Sequence, residues 1–420
     1  MDETGTPAAP AGVGAAPGAP RGRIAFCCVM NALDPDSGAA ISVRSILEAL
    51  AAAGHEVSSF SASIFDPNGE VSFRPALGRE AAKPENRGKV LHTERNGVTH
   101  RVFLTASSQR QNLTEEEKTR IAARWAGIVE EAPPDIVFTF GSSELLQTML
   151  ATARAAGARV VHYLANAERR DAAGIHPEDA LVCPSEFLQG VYRGVIGRAP
   201  EVIRSILPED RWLGEGEPSI AARPAERRLG LVSFFNPIPQ KGLTLVGALA
   251  LRAERECPDM RFLVTEGRMP RSRLQQINFD LGALPNVWFV PTQHVVREVY
   301  RRTAVLLVPS YWREGFSRSV LEAQLSGIPV IASTQGGLPE ALNGGGFALD
   351  LPEGLLAKHT AAPDRETVDR WWETLRRLWE DEAAYAEAAG RARVAGVAWH
   401  PERIRPRIVG HFERILAERA

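Results

Sequence analysis

The chain is short of several things, and each shortage excludes a class of function. Its 420 residues hold four cysteines, Cys27, Cys28, Cys183 and Cys257. Four are too few for a disulfide framework, and none stands in a C-x-x-C, which argues against a structural zinc site or a redox pair. A reduced, cytoplasmic setting fits. No apolar run approaches the roughly 18 residues of a membrane span, so no integral membrane segment is expected. The net charge is −2, with 49 basic against 51 acidic side chains, so the overall basic face of a nucleic-acid binder is missing. Lysine is scarce: Lys83, Lys89, Lys118, Lys241 and Lys358 are the only five among those 49 cations. A lysine kept inside a motif is the more informative for it. No G-x-G-x-x-G follows a strand-like run, which disfavours an NAD-dependent oxidoreductase; Gly12-Val13-Gly14 precedes any strand. Asp34-Pro35-Asp36 has D-x-D spacing but lies in the first loop without supporting ligands, so no metal is expected.

What is present is 44% hydrophobic and 24% charged residues, the balance of a soluble globular chain, in a length that suits two or three domains. Residues 1–20 are small, proline-rich and lack a basic n-region; they read as a disordered tail and not as a signal peptide. Arg23–Met30 (RIAFCCVM) is the continuous apolar run of a buried parallel strand. ISVRSILEALAAAGHEV follows with helical spacing and Gly54 as its stop. Strand-like runs come at Val57–Phe60 and Val98–Leu104. Thr114 and Glu117 form a capping box, which also accounts for the sequon Asn112-Leu113-Thr114. DIVFTF, a helix from Ser143 to Ala156, ARVVHYL and ALVCPS continue the alternation.

Beyond Pro208 a stretch rich in Pro, Gly and charge reads as a linker. A second series begins at Leu229, with strands LGLVSFF, MRFLVTE, NVWFV, AVLLVPS and IPVIAS. Val368, Trp371, Trp372, Leu375, Leu378 and Trp379 have the spacing of a packed amphipathic helix, not of an aromatic sugar platform. The expected fold class is α/β: two Rossmann-like domains, residues 21–210 and 211–399, facing across a cleft. Ligands of such sheets collect beyond the carboxyl ends of the strands.

The most informative stretch runs from Val308 to Leu342, VPSYWREGFSRSVLEAQLSGIPVIASTQGGLPEAL. A strand ends at Pro309-Ser310, a loop holds Glu314 and Gly315, a helix starts near Ser317, and Glu322 stands on it. A further strand and the turn Gly336-Gly337-Leu338-Pro339-Glu340 follow. Backbone N–H groups at a helix start favour phosphate, Gly315 permits close approach, and carboxylates accept from sugar or ribose hydroxyls. The bland alternatives are that Ser319 and Glu322 form a capping box and that Glu314 is a solvated loop carboxylate. Upstream, LVSFFNPIPQKGLTLVGALA places Lys241 and Gly242 in a strand-to-helix loop, where a lysine can neutralise charge on a departing diphosphate.

This pattern resembles the E-x7-E region of retaining, GT-B-fold glycosyltransferases of family 4, which reads P-S-x-x-E-G-F-G-x-x-x-L-E-A-x-A-x-G-x-P-V-I-A, and the resemblance spans most of the chain. It implies that Glu314 contacts donor-sugar hydroxyls and Glu322 the nucleotide ribose. The helix start carrying Gly315, Phe316, Ser317, Ser319 and Val320 would receive the pyrophosphate, with Ser317 in place of the usual glycine. Lys241-Gly242 stands at the family's lysine–glycine pair. Asn236 stands where an arginine is common: either it acts as a neutral donor, or another cation, Arg268 or Arg313, takes part. Gly267 and Arg268 occupy the nucleotide-side loop, Pro291 the strand end near the base, and Gly38 the N-terminal glycine loop. His162 ends a strand and is either a core histidine or an acceptor-side residue. Residues 400–420 are expected to cross back as a helix onto the first domain, and Phe65–Gln111 to build part of the acceptor side.

The resulting reading is a retaining, metal-independent, bacterial-type glycosyltransferase. It takes a nucleotide-diphosphate sugar as co-substrate, with no other cofactor, and an acceptor, a small natural product or metabolite. Lys241 and Glu314 are its catalytic pair. The alternatives are a non-catalytic nucleotide-sugar binding protein and a GT-B-type phosphorylase.

Overall fold

The computed structural model describes residues 21–65, 69–267, 269–276, 280–292 and 295–418. The tail 1–20 and Arg268 lie outside them. The first domain is built on β1 (Arg23–Cys27), β2 (Glu56–Ala62), β3 (Val90–Arg95), β4 (Val98–Phe103), β5 (Ile136–Thr139), β6 (Arg159–Tyr163), β7 (Ala180–Cys183) and β8 (Glu201–Val202). These form one sheet in the order β3-β4-β2-β1-β5-β6-β7-β8. Only β3 runs antiparallel, paired with β4. The turn between them, Asn96-Gly97, takes φ of 50° and 76°, the left-handed pair that closes a two-residue hairpin. The sequence reading did not foresee β3.

Why β1 is a run of apolar residues is visible in its packing. Ile24, Phe26 and Cys28 face one core, with Val43, Ile46 and Leu50 of the helix Gly38–Ala52. Ala25, Cys27 and Val29 face the other, with Trp125, Met149 and Leu150 of the helices Glu115–Glu131 and Glu144–Ala155. A parallel strand covered on both sides loses the polar alternation of a half-exposed one. The Thr114–Glu117 capping box is formed at the start of the helix Glu115–Glu131. The last helix, Pro401–Ala417, places Ile404, Ile408, Phe412 and Ile415 in the first of these cores, against the helix Gly38–Ala52. The end of the chain thus covers the sheet on which the chain began.

The second domain carries β9 (Leu231–Phe235), β10 (Arg261–Thr265), β11 (Val287–Val290), β12 (Thr303–Val308), β13 (Val330–Ser333) and β14 (Phe347–Leu349). Their order is β11-β10-β9-β12-β13-β14, parallel throughout. Its core buries Trp371, Trp372, Leu375, Leu378 and Trp379 from the helix Arg365–Glu380, so these aromatics are packing. The segment after Pro208 is not a free linker: Leu213 and Ala221 are buried with Val320, Leu321 and Ile328 of the second domain. In each sheet the strand order reverses once, between β1 and β5 and between β9 and β12. Such reversals open a crevice at the carboxyl ends of the strands.

Candidate functional site in the interdomain cleft

A cleft of about 480 Å³ lies where the two crevices face each other. Roomier hollows of about 980 and 1110 Å³ lie beside Arg110 and Lys118 and behind the linker at Trp212 and His400. The smaller cleft is the candidate because both domains wall it and because Lys241 and Glu314 meet in it.

Two loops of the second domain are stitched together there. After β9 the chain makes a short turn, Pro239–Lys241, and Gly242 follows at φ 88°, where a Cβ would stand 2.1 Å from the carbonyl oxygen of Pro309. Glycine is required at that position on both counts. The carbonyl of Gln240 accepts from the backbone N–H groups of Tyr311 and Trp312 and from the hydroxyl of Ser310. Lys241 Nζ is thereby delivered 2.5 Å from Glu314 Oε1, which also accepts from Ser310 Oγ at 2.7 Å. Glu314 is buried, not solvated.

The turn Gly336-Gly337 lies behind this carboxylate and outside the lining of the cleft. It supports Glu314: Gly337 N–H donates to the Glu314 carbonyl at 2.8 Å, and a Cβ on Gly336 would strike that carbonyl at 2.4 Å. The glycine-rich turn is thus a buttress for Glu314 and not a wall of the cleft.

Glu322 is on the helix Arg318–Leu325, whose N-cap is Ser317 with no side-chain cap bond. The Ser319–Glu322 capping box does not form; Ser319 Oγ lies 3.1 Å from Ser317 Oγ instead. Glu322 Oε1 accepts from Arg211 Nε and Oε2 from the Tyr300 hydroxyl, both at 2.8 Å. Glu322 holds the Arg211 guanidinium above its ordinary range, and burial together with Glu322 pushes the Tyr300 phenol well up. The first-domain wall is made by the start of the helix Gly38–Ala52, with Gly38 and Ser42, and by Tyr163, Ala165 and Ser205.

Of the residues singled out from the sequence, Gly38, Asn236, Lys241, Gly267, Glu314, Gly315, Phe316, Ser317, Ser319 and Glu322 come together around the cleft. Asn236 has φ 59°, and a Cβ on Gly267 would meet its side chain at 2.8 Å, so Gly267 leaves room for Asn236. Four residues, Val320, Pro291, His162 and Arg313, are placed elsewhere. Val320 sends its side chain into the second domain's core, because the helix turns that face inward. Pro291 is exposed at the end of β11, and Thr292 reaches the cleft in its place.

His162 is the third and is a core histidine, not an acceptor-side residue. It is 1% exposed, and Nε2 lies 2.9 Å from Asp179. Burial raises the Asp179 carboxyl, but hydrogen bonds from His162 and Arg154 outweigh it and hold it at about 2. Arg313 is exposed and lies over the Phe187 ring, away from the cleft. Among the described residues no group of three His, Cys, Asp or Glu could hold a metal ion. None of the described helices is long and apolar enough to cross a membrane.

Residues 226–381 match the family described as Glycosyl transferases group 1. Among curated proteins, D-inositol 3-phosphate glycosyltransferase of Mycobacteroides abscessus is 32% identical over 158 residues, 36% of this chain and 33% of that protein. The enzyme of the same name from Mycolicibacterium smegmatis is 28% identical over 191 residues, 42% of this chain and 41% of that protein. The match thus spans well under half the length of these relatives. Among solved structures, sucrose-phosphate synthase from Thermosynechococcus elongatus superposes with a TM-score of 0.68 at 20% identity, covering 95% of this chain and all of that one. HepE of Anabaena in complex with UDP-glucose superposes with a TM-score of 0.65 at 15% identity, covering 94% of this chain and all of that one.

The chain has the GT-B fold, and the stretch that matches the group 1 model lies within its second domain. Within that domain and its approach, three residues of the cleft escaped the sequence reading. Arg211 sits in the stretch read as linker, with no motif to mark it. Tyr300 lies in the helix Val296–Arg302, outside every motif quoted from the sequence. Arg318 stands between Ser317 and Ser319, hidden by a pattern that treats its position as variable.

Proposed function

We propose that the chain is a glycosyltransferase that moves a sugar from a nucleoside diphosphate sugar to a hydroxylated acceptor, a small metabolite or natural product, with retention at the anomeric carbon. The observation that carries this reading is the Lys241–Glu314 pair at the mouth of the start of the helix Arg318–Leu325, inside the cleft between the domains. It is supported by the family match over residues 226–381 and by the likeness to a GT-B neighbour crystallised with UDP-glucose.

In this reading the donor nucleotide lies on the second domain. Each oxygen of Glu322 already accepts one hydrogen bond and keeps a lone pair for a ribose hydroxyl. The diphosphate lies at the helix start from Ser317 onward, where N–H groups and the helix dipole favour negative charge. Glu314 accepts from hydroxyls of the transferred sugar. The bond between the anomeric carbon and the bridging oxygen breaks, and its electron pair goes to the phosphate. Lys241 meets that developing charge with an ammonium held 30% exposed, so its field is screened less than at an open surface. The acceptor oxygen bonds to the anomeric carbon from the same face, and its proton passes to the departing phosphate oxygen. The positive charge needed comes from side chains and the helix start, and a cytoplasmic setting supplies the nucleotide sugar.

The test is a thermal-shift panel of UDP, GDP, ADP and dTDP. A ligand that binds only the folded state raises its melting temperature. One nucleotide should stand out, and its sugar conjugates should then turn over with the donor's anomeric configuration kept in the product. No response to any of the four refutes the reading, and donor binding with neither transfer nor hydrolysis reduces it to a sugar-nucleotide binding protein.

A further inference from the structure

We propose that Arg318 is the phosphate clamp of the cleft, its guanidinium holding phosphate oxygens between the start of the helix Gly38–Ala52 on one domain and the start of the helix Arg318–Leu325 on the other. This deepens the function proposed above and rests on it for the source of the phosphate, either the donor's diphosphate or a phosphate carried by the acceptor.

Lys241 is paired with Glu314 and Arg211 with Glu322. Arg44 donates to the carbonyls of Ala32 and Asp34. Arg318 lines the cleft and, among the described residues, stands in no ion pair; its Nη1 is buried from solvent and has no hydrogen-bond partner. Glu322 is close enough to act on it electrostatically, but both Glu322 oxygens are bonded to Arg211 and Tyr300. Burial, and then the neighbouring Arg211, push the Arg318 guanidinium down to about 10, with Arg44 adding to the effect. Arg318 as a whole is half-buried, but a guanidinium nitrogen buried without a partner is costly, and such a group is normally satisfied by a counter-charge.

Position says what that partner is. A Cβ built on Gly38 would stand 3.8 Å from both Nε and Nη2 of Arg318, so the side chain spans the cleft to a place where the facing residue has no side chain. An anion drawn to that guanidinium would meet the N–H groups of a helix start and a planar fork of donors, the geometry that suits phosphate oxygens. Asn236, on the same domain as Lys241, is neutral, and Arg313 is turned away over Phe187. Among the described residues, Arg318 is therefore the cation placed to supply a second positive charge beside Lys241.

The experiment uses the full chain, Arg318→Met and Arg318→Lys. Each is titrated by calorimetry with inorganic phosphate, pyrophosphate, the nucleoside diphosphate picked out by the thermal panel, and its bare nucleoside. Arg318→Met should bind pyrophosphate and the diphosphate about 10- to 100-fold more weakly, the range for losing a charge-assisted hydrogen-bonded contact. It should bind the nucleoside unchanged, Arg318→Lys should recover part of the loss, and the ligand-free Met variant should melt no lower than the parent. Loss of inorganic phosphate binding with diphosphate binding intact assigns the clamp to an acceptor phosphate. Anion binding equal in the parent and Arg318→Met, loss of nucleoside and diphosphate to the same degree, or no anion binding by the parent at all overturns the proposal. Arg318-dependent pyrophosphate binding with no response to any of the four nucleotides keeps the clamp and removes the nucleotide-sugar reading.

Discussion

Replacing Arg211 by leucine isolates the contact on which the second glutamate of the motif depends. Glu322 has a side chain 3% exposed and Arg211 one 19% exposed, joined at 2.8 Å. Removing one partner of a buried ion pair costs about 3–5 kcal/mol, because the other charge stays behind without compensation. Here the Tyr300 hydroxyl still donates to Glu322, and Arg211 is not fully buried, so the lower end, about 3 kcal/mol, applies. For a domain of this size each kcal/mol moves the melting temperature by about 2–4 °C, which gives a fall of roughly 6–12 °C. Arg211→Leu, Glu322→Leu and the double variant should be compared by calorimetric melting and urea titration. The double variant removes both charges and should recover much of the sum of the single losses, since residues in contact are not additive. A single-variant loss under about 1 kcal/mol, or strict additivity in the double, refutes the view that Glu322 is a buried carboxylate held by the linker arginine.

Three other outcomes follow from the same geometry. Glu314→Ala and Lys241→Ala should each lower turnover by about 100- to 1000-fold, the usual effect of losing one preorganised electrostatic group, while circular dichroism stays unchanged. Gly242→Ala keeps the lysine but forces a Cβ against the Pro309 carbonyl; turnover should drop about 100-fold through misplacement alone, and steady-state kinetics at parental activity would contradict it. The buried His100 is pushed down to about 4 by burial, then by Arg44 and Arg95, against 6.5 when unfolded. Its folded form resists protonation, so its contribution is complete above pH 6.5 and is lost as pH falls toward 4, roughly 3 kcal/mol in all. Urea midpoints of the parent should therefore fall across that window more steeply than those of His100→Leu, and parallel slopes would rule His100 out as the cause.

The fold was largely legible because parallel sheets covered on both faces write themselves as apolar runs. β1, β9, β12 and β13 could be read in this way. β3 could not: it is an exposed edge strand whose residues are mostly half-exposed or exposed, and only the Asn96-Gly97 pair marked its hairpin. At the site, Lys241, Glu314 and Glu322 were legible because a strand end, a loop and a helix start fix their places within a few residues of each other. Arg211 and Tyr300 were not, since they reach Glu322 across 111 and 22 positions of sequence. His162 was left between two readings, because strand periodicity says which residues are inward but not whether a partner such as Asp179 waits there.

The placement of Gly315 changes how the loop carrying Glu314 is understood. A small residue beside Glu314 reads from the sequence as room for a phosphate. In the structure a Cβ there would stand 2.5 Å from the Ala165 carbonyl and 3.1 Å from Leu188, both on the first domain. The Gly315 carbonyl accepts from Ser185 Oγ at 2.6 Å. Nearby, Glu340 of the second domain accepts from the N–H groups of Glu186 and Phe187 at 2.8 and 3.2 Å and is paired with Arg204. Those N–H groups open the helix Glu186–Ile196, whose dipole favours a carboxylate at that end. The loop carrying Glu314 is thus gripped by the glycine turn behind it and by the opposite domain beside it. Approach of the two domains and the positioning of Glu314 are one arrangement, and a residue larger than glycine at 315 would act on both together.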